Sequence, residues 1–381
     1  MARMGAWGFG VVCLVGCGES VGAPAATGGG FDDVARVDDD ATQGLEDRPT
    51  APGDRSPIGA EDADFDAGVD AARDAGAEVG AAPDVPPRDG GPGADSGPRV
   101  DTGPMPPEPA ERTLRVLHWN IAGGKENDCQ PALITRAVVR YVRENNVDFV
   151  GLNEVCPSQH EAIESALRSL WGLGARETFA GFVGDGTARV VGNAVYSRFG
   201  LQNITRLEVG TDQYGARNLL CGQLPSLPHL RMCSVHLTPG DAAARVQLRR
   251  VFDRVEQWWS ERRDTVIVSG DLNLTPNDEG LNDVYAAAAN TPNNPNNRGA
   301  YREVDDDDAT HCRGYGERSL PGTAGGPCMT GGKIDFIFAR SARIVDGDYA
   351  GNTFDIPGDC TGVCSDHRAV FGRLRLRIDR D

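Results

Sequence analysis

The 381-residue chain has a formal net charge of −18, and this charge is spread very unevenly along its length. Residues 18–112 contain 22 acidic and 7 basic side chains, whereas residues 113–381 contain 34 acidic and 30 basic ones. The C-terminal part therefore lacks the basic character of a general nucleic-acid-binding domain, and any such binding would need a local patch. Because residues 1–112 are unable to form a core, the composition predicts one large domain rather than several.

The N-terminus is typical of an exported protein. Residues 1–16 contain Arg3 and a short apolar run that is too short to span a bilayer, as in a signal peptide. The run ends in Leu14-Val15-Gly16-Cys17, which resembles the lipobox of bacterial lipoproteins. The resemblance implies cleavage before Cys17 and lipid attachment to it. We therefore expect a membrane-anchored lipoprotein on the periplasmic or cell-surface side; an ordinary cleaved signal is the alternative.

Residues 17–112 are predicted to be a disordered linker. They are rich in Ala, Asp, Gly and Pro and poor in aromatic residues, so they cannot bury enough apolar surface to offset the entropy of ordering. Repulsion among the acidic side chains should keep the segment extended. It is interpreted as a tether that holds a domain of residues 113–381 away from a membrane, with calcium binding by its aspartates as the alternative.

Within residues 113–381 the hydrophobic pattern predicts many strands and a few long helices. Strands are predicted over 114–121, 147–152, 190–198, 217–224, 230–237, 266–269, 333–338 and 369–378. Helices are predicted over 131–145, 158–171 and 241–263, the second with Ser158 as N-cap and Glu161 completing a capping box. Residues 277–331 are rich in loop-forming residues. The pattern is typical of a layered α/β protein.

Eight cysteines fall in the predicted domain, and an even number behind an export signal predicts disulfides. Sequence alone allows 105 pairings of eight cysteines. Cys221 and Cys233 lie at equal distances from a turn centred on Leu227, so they could face each other across a hairpin. Short loops and elimination suggest the further pairs Cys360–Cys364, Cys312–Cys328 and Cys129–Cys156. A zinc site is the competing interpretation, but the paired Cys-x-x-Cys spacing is missing.

Polar side chains suited to hard metal ions and phosphate follow several predicted strands. Asp271 and Asn273 are two residues apart at the end of a buried strand, so in extended backbone they point the same way. The other strand-end groups are Asn120, Glu154, His236, Asp335, Asp366 and His367. Each alone is explained equally well as a turn former, an exposed carboxylate, a core histidine or a strand cap. Together they predict a site that handles a metal ion, a phosphate or an attacking water.

Seven short motifs follow one another along the predicted domain: Trp119-Asn120, Asn153-Glu154-Val155, Gly192-Asn193-Ala194, Ser234-Val235-His236-Leu237, Gly270-Asp271-Leu272-Asn273, Lys333-Ile334-Asp335-Phe336 and Ser365-Asp366-His367. In this order they resemble the motifs of the endonuclease/exonuclease/phosphatase superfamily with its deoxyribonuclease I-like fold. The resemblance spans about residues 113–378, the whole predicted domain. It implies a four-layered α/β sandwich in which two packed mixed β-sheets are flanked by helices, with the site at one edge of the sheets.

The resemblance also implies roles for the residues that match these motifs. Glu154 is implied as the principal metal ligand, helped by Asn120 and Asp366. His367 is implied as the base, oriented by Asp335. The remaining implied roles are positioning of the attacking water by Asp271, contact with phosphate oxygens by Asn273 and His236, and substrate binding by Asn193 and Arg217.

Members of this family cleave phosphate esters with a divalent cation, usually Mg²⁺, with Mn²⁺ or Ca²⁺ as alternatives here. Mg²⁺ prefers oxygen ligands and keeps several waters, so one or two carboxylates suffice to bind it. It neutralises charge on phosphoryl oxygens and polarises the ester. A histidine that is hydrogen-bonded to a carboxylate suits a general base near neutral pH.

The histidine at position 236 resembles the deoxyribonuclease I, sphingomyelinase and inositol-phosphatase branches, whereas abasic-site nucleases usually lack a histidine there. Together with export and disulfides, this favours a monomeric, exported nuclease that acts on DNA or RNA. The alternative is a sphingomyelinase or phospholipase C-like enzyme, or an inositol-type phosphatase, acting on lipid or small phosphoesters, for which a membrane tether is equally suitable. A non-catalytic surface binding module is disfavoured because no motif position is lost.

Overall fold

The computed structural model describes residues 108–186, 190–321, 332–358, 360 and 364–381. The predicted signal peptide, Cys17 and all but the last few residues of the predicted linker lie outside the described residues. Within the described part, none of the helices combines the length and the apolar character needed to cross a membrane.

The strands in the described part of the chain form two mixed sheets of six strands each. They are β1 (Ala110–Asn120), β2 (Phe149–Val155), β3 (Ala180–Gly184), β4 (Gly192–Ser197), β5 (Gln202–Asp212), β6 (Gly215–Leu224), β7 (Leu227–His236), β8 (Thr265–Asp271), β9 (Tyr301–Glu303), β10 (Asp335–Arg340), β11 (Ile344–Phe354) and β12 (Ala369–Ile378). The first sheet has the order β11-β12-β1-β2-β4-β3, and the second has the order β5-β6-β7-β8-β10-β9.

Three long helices cover the outer faces of the two sheets. Helices α1 (Pro131–Glu144) and α2 (Pro157–Trp171) share one apolar cluster with the first sheet, and α3 (Asp241–Arg262) shares another with the second. A third apolar cluster fills the space between the sheets. The sheets approach so closely that a Cβ at Gly151 would lie 2.3 Å from Ser269 Oγ. The predicted four-layered sandwich of two mixed sheets is confirmed.

Alternation along β1 shows how the strands deliver polar groups to the site. Leu117 and Trp119 point to the helix side, whereas Leu114 and Val116 point into the space between the sheets. Because side chains alternate along a strand, the next inward position after Val116 is His118. The inward row is therefore apolar for most of its length and becomes polar at its carboxyl end.

Parallel strand pairs bring the predicted site residues to one edge of the sandwich. β1 and β2 are parallel, with Asn120 opposite Asn153, and β7 and β8 are parallel, with His236 opposite Asp271. The antiparallel strand β10 begins at Asp335, which is also opposite Asp271. The carboxyl ends of parallel strands meet at the same edge of a sheet, so groups far apart in sequence converge there.

Several predicted boundaries differ from the structure by a few residues. Strand β1 begins at Ala110, a few residues before the predicted start. The predicted capping box of Ser158 and Glu161 is wrong: α2 begins at Pro157 with Cys156 as its N-cap. Proline lacks an N–H and is favoured at the first helical position, so the helix starts one residue earlier. Gln159 Oε1 accepts from the Cys156 N–H at 3.0 Å.

Three of the four suggested disulfides are confirmed: Cys129–Cys156, Cys221–Cys233 and Cys360–Cys364. The second lies across the β6–β7 hairpin, where its two cysteines are directly opposite each other. Cys312 is also disulfide-bonded. Its suggested partner, Cys328, lies outside the described residues.

Candidate active site

A pocket of about 990 Å³ opens at the edge where the strand ends meet. Eight of the ten residues predicted to be catalytic, metal-binding or substrate-binding line it: Glu154, Asn193, Arg217, His236, Asp271, Asn273, Asp366 and His367. The other two, Asn120 and Asp335, are fully buried and hydrogen-bond to residues of the lining. The fold therefore brings the whole predicted set to one place.

Next to the pocket lining, a buried carboxylate is held between two imidazoles. Asp335 Oδ2 lies 2.7 Å from His367 Nδ1, and Asp335 Oδ1 lies 2.9 Å from His118 Nε2. Burial opposes the charge on Asp335, but the charge of His367 and the hydrogen bonds from both rings outweigh it and hold the pKa of Asp335 well below its usual value. Burial likewise opposes the charge on His367, but Asp335 outweighs it and raises the pKa of His367 to about 10.

Asp271 lies between the two histidines of the pocket. Its Oδ2 is 3.5 Å from His236 Nε2 and 3.7 Å from His367 Nε2. Oδ2 also accepts a hydrogen bond from Asn120 Nδ2 at 3.0 Å, and Oδ1 accepts one from the Asn273 N–H at 3.0 Å. Burial, reinforced by the charge of Asp335, raises the pKa of Asp271 to about 7. This carboxyl group therefore holds its proton to higher pH than an exposed aspartate does.

The second imidazole, His236, has opposite electrostatics to His367. Burial, together with the charges of Arg217 and His367, lowers the pKa of His236 to about 3. Among the described residues no hydrogen bond to its ring is found. His236 is thus a neutral imidazole with a nitrogen available to a ligand in the pocket, whereas His367 carries a proton at neutral pH.

Glu154 and Asn273 adopt left-handed backbone conformations at the ends of their strands. Their φ angles are 54° and 51°, and the β2–β4 pairing is irregular between Leu152 and Val155. Such conformations are uncommon for residues other than glycine, and they cluster at functional sites where the surrounding structure holds them. Here the irregularity turns the Glu154 side chain into the pocket, which it lines.

Glu154, Asn120 and Asp366 supply only oxygen ligands, the type that Mg²⁺ prefers. Asn120 Nδ2 donates to Glu154 Oε1 and to Asp271 Oδ2, each at 3.0 Å, so two carboxylates converge on one amide. Asp366 Oδ2 is 2.6 Å from Nζ of Lys125, a side chain that is 64% exposed. The pocket thus gathers more carboxylates than fixed cations, and this oxygen-rich lining fits a divalent cation; the roles of Glu154 and Asp366 as its ligands stay a prediction.

Two details bear on how such an ion would be held. Asn120 Oδ1 already accepts a hydrogen bond from the Ala122 N–H at 3.0 Å, so Asn120 orients the carboxylates in this state and its role as a ligand stays a prediction. Asp271, Asp335 and His367 also offer ligand atoms within 4.8 Å of one another. Because both Asp335 oxygens are bonded to imidazoles, we interpret this cluster as a hydrogen-bond network.

The two residues predicted to bind substrate are engaged with other protein groups. Arg217 Nε donates to Asp212 Oδ2 at 2.9 Å, which offsets part of its charge. Asn193 Nδ2 donates to the Asn218 carbonyl at 2.6 Å, and Asn193 Oδ1 accepts from Asn153 Nδ2 at 2.8 Å. Asn193 therefore ties β4 to its neighbours, and substrate binding by either residue stays a prediction.

The start of β10, which carries Asp335, rests on a buried ion cluster. Lys333 is fully buried, and its Nζ lies 3.3 Å from Glu303 Oε2 and 3.7 Å from Asp305 Oδ2. Burial raises the pKa of Glu303 to about 7, although the charge of Lys333 opposes this shift. Ser319 Oγ accepts hydrogen bonds from the two backbone N–H groups that follow Lys333. The lysine of the Lys333-Ile334-Asp335 motif is therefore structural.

Sequence reasoning missed three residues of the site. His118 contacts Asp335, Lys125 pairs with Asp366, and Asn153 Oδ1 accepts from the Asp271 N–H at 2.9 Å. For His118 a signal was available, because it lies two residues before Asn120 on the same face of β1. Lys125 follows a Gly-Gly loop and carries no comparable pattern.

The model of the Endonuclease/Exonuclease/phosphatase family matches residues 117–367 of this chain. No curated protein matches this chain. Among solved structures, an endonuclease/exonuclease/phosphatase family protein from Bacteroides thetaiotaomicron is similar, with 14% identity, a TM-score of 0.50, and coverage of 70% of this chain and 99% of that one. The endonuclease/exonuclease/phosphatase of Beutenbergia cavernae has 20% identity and a TM-score of 0.49, and the match covers 70% of this chain and 72% of that one. Truncated Caenorhabditis elegans TDP2 has 15% identity and a TM-score of 0.48, and the match covers 69% of this chain and 98% of that one.

Proposed function

Because this chain belongs to the endonuclease/exonuclease/phosphatase family, we propose that it is a divalent-metal-dependent phosphodiesterase whose substrate is DNA or RNA. The observation that carries the proposal is the pair of imidazoles within 4 Å of one oxygen of Asp271. One is hydrogen-bonded to the buried Asp335 and the other is neutral, and both line one pocket with Glu154. This arrangement suits displacement at phosphorus, because one imidazole can take the proton of the attacking water while the other hydrogen-bonds a phosphate oxygen.

Each residue has a task in this proposal that follows from its place. Asp271, whose Oδ2 lies within 4 Å of both rings, orients the attacking water and accepts hydrogen bonds from it. His367 is held in one tautomer by Asp335. After its Nε2 has released a proton, His367 takes the proton of that water. Neutral His236 and the Asn273 amide contact phosphate oxygens from the other side. Mg²⁺, Mn²⁺ or Ca²⁺ bound by Glu154 and Asp366 would neutralise the phosphoryl oxygens and polarise the ester.

A second candidate is a phospholipase C-like enzyme or an inositol-type phosphatase, and the apolar part of the pocket lining supports it. Val183, Val191 and Pro239 add apolar surface to the lining, which also contains Tyr214, 57% exposed. Such residues can contact the apolar part of a lipid. A non-catalytic binding module stays disfavoured, because every motif residue is in place.

We further propose that the protein is exported as a monomer and anchored to a membrane through Cys17, facing the periplasm or the cell surface. The support is the lipobox-like sequence and the disulfides, which form in oxidising compartments. Metabolic labelling with a radioactive fatty acid tests the anchor. Label should appear in the wild-type protein and be lost from Cys17→Ser; equal labelling of both would refute it.

A panel of phosphoesters tests the activity. Purified residues 108–381 are incubated with plasmid DNA, RNA, sphingomyelin and inositol phosphates, each with Mg²⁺ or Mn²⁺. We expect plasmid nicking that is abolished by a chelator and by His367→Ala. Intact plasmid with hydrolysed sphingomyelin or inositol phosphate would replace the nuclease by the second candidate. No hydrolysis of any substrate would favour the binding module.

A further inference from the structure

One buried histidine next to the pocket lining has no role in the function described above. His118 is fully buried in the inward row of β1, and it shares Asp335 with His367. Each oxygen of the Asp335 carboxylate therefore faces one imidazole, with His118 Nε2 at 2.9 Å from Oδ1.

We propose that His118 is a positioning residue that fixes the carboxylate plane of Asp335 and, through it, the ring of His367. The proposal rests on the proposed function for its catalytic consequence, but its geometric part does not depend on which substrate is hydrolysed. A carboxylate with one bonded oxygen can rotate about its Cβ–Cγ bond. One hydrogen bond to each oxygen removes that freedom.

The position of His118 argues against a purely packing role. The preceding inward residues, Leu114 and Val116, are apolar and lie in the cluster between the sheets. His118 Nδ1 is buried and has no hydrogen-bond partner among the described residues. A buried polar atom without a partner costs about 1–3 kcal/mol, a cost that an aliphatic side chain would avoid. A histidine here lowers stability in one respect, so its value lies in the contact with Asp335.

The unpartnered nitrogen also indicates the tautomer of the ring. Neutral imidazole has one N–H donor and one acceptor nitrogen. Since Asp335 Oδ1 can only accept, the proton of His118 belongs on Nε2, which donates it to Asp335. Nδ1 is then the unpaired acceptor. His367 Nδ1 donates to the other oxygen, so Asp335 receives one proton donor from each side.

Three substitutions separate positioning from packing. In His118→Gln the amide nitrogen can take the place of Nε2, whereas in His118→Asn it lies near the place of Nδ1, and His118→Leu only fills the volume. We expect the Asn and Leu variants to lose about 10- to 100-fold in kcat, the range found when groups that orient a catalytic ligand are removed. The Gln variant should stay close to wild type, and KM should change little in all three.

A control is needed for the loss of a histidine that is hydrogen-bonded inside the protein but lies away from the pocket. His160 on α2 hydrogen-bonds through Nδ1 to the Tyr196 hydroxyl at 2.8 Å, and it does not line the pocket. His160→Gln should lower the melting temperature without lowering kcat. Kinetics are measured with a fluorescent DNA oligonucleotide, or with the phosphoester that the panel identifies.

Nitrogen-15 NMR of labelled histidines tests the geometry without any substrate, so it separates failure of this proposal from failure of the proposed function. Wild type should show the Nε2–H tautomer of His118 and a strongly deshielded His367 Nδ1 proton. That proton signal should persist in His118→Gln and be lost in His118→Leu. An Nδ1–H tautomer of His118 in wild type, wild-type kcat in His118→Leu, or equal losses in the Gln and Leu variants would overturn the proposal. Should the Leu variant not fold, the wild-type tautomer and the Gln–Asn comparison decide.

Discussion

The Cys129–Cys156 disulfide should stabilise the domain and also hold the metal-binding side of the pocket. Cys156 comes two residues after Glu154 and is the N-cap of α2, while Cys129 belongs to the loop that follows Asn120. Ser158 Oγ donates to the Cys129 carbonyl at 2.8 Å and joins the same two segments. Replacing both cysteines by alanine therefore frees the loop on which the position of Glu154 depends.

The magnitude follows from the sequence separation of the two cysteines, which is 27. The loss of unfolded-chain entropy for a loop of this length is worth about 3.5 kcal/mol at 25 °C. The Cys221–Cys233 disulfide provides a matched control, because it is buried in the apolar cluster with α3 and away from the pocket. The sequence separation of its cysteines is 12. The same relation gives about 2.8 kcal/mol for that bridge.

Urea unfolding of the two double-alanine variants and of wild type measures the free energy of unfolding, and titration calorimetry with Mg²⁺ measures ion binding. We expect similar losses of stability in both variants, about 3 kcal/mol each. Only Cys129→Ala/Cys156→Ala should also bind Mg²⁺ about tenfold more weakly, because the support of a ligand is lost. A loss of stability below about 1 kcal/mol, or equal weakening of Mg²⁺ binding in both variants, would refute the reasoning.

Three further predictions concern charged groups. Lys333→Met leaves two buried carboxylates uncompensated and should lower the free energy of unfolding by about 3–5 kcal/mol, measured with urea at pH 8. The loss should be smaller at pH 5, where the two carboxylates protonate. A loss of stability that does not depend on pH would contradict this prediction. Lys125→Met removes the cation that pairs with Asp366 and should tighten Mg²⁺ binding about two- to fivefold by calorimetry, whereas Lys125→Arg should leave it unchanged. Unchanged Mg²⁺ affinity in the Met variant would show that Lys125 does not compete with the ion for Asp366. Because Asp335 raises the pKa of His367 from 6.5 to about 10, the stabilisation by this ring is complete below pH 6.5 and is lost as pH rises to 10. Wild type should thus lose more stability than His367→Gln between pH 7 and 9.5 in urea unfolding, and parallel pH profiles would exclude the effect.

Local pattern was enough to predict a layered α/β protein, and the family resemblance implied the sandwich and the place of most site residues. The final strand has the predicted bounds, Ala369–Ile378, because it begins with an apolar run and then alternates charged and apolar residues from Arg373 to Ile378. The strand ends could be assembled into one site because each is followed by a polar residue and the motifs occur in a family order. Glu154 and His367 therefore line one pocket although sequence alone gives no distance between them.

The rest depended on contacts that no local pattern contains. His118 and Asp335 are 217 residues apart, and their contact depends on the packing of one sheet on the other. Before that packing is known, a histidine within an apolar strand is equally well explained as a core residue. The N-cap of α2 was misplaced for a local reason, because Ser158 satisfies a capping pattern but Pro157 sets the first helical turn. Asn193 was predicted to bind substrate, and the structure shows both of its polar atoms engaged within the protein.

Two histidines of the same intrinsic pKa are driven far apart by their surroundings, and this bears on the direction of proton transfer. His236, beside Arg217, has its pKa lowered to about 3, whereas His367, beside Asp335, has its pKa raised to about 10. The proton on His367 compensates the surrounding carboxylates, so it is bound most firmly when no other cation is near. Positive charge held by Glu154 and Asp366 would take over part of this compensation and favour release of the proton. We therefore expect His367 to lose its proton more readily once the pocket has bound a cation, which is the state that the proposed hydrolysis needs.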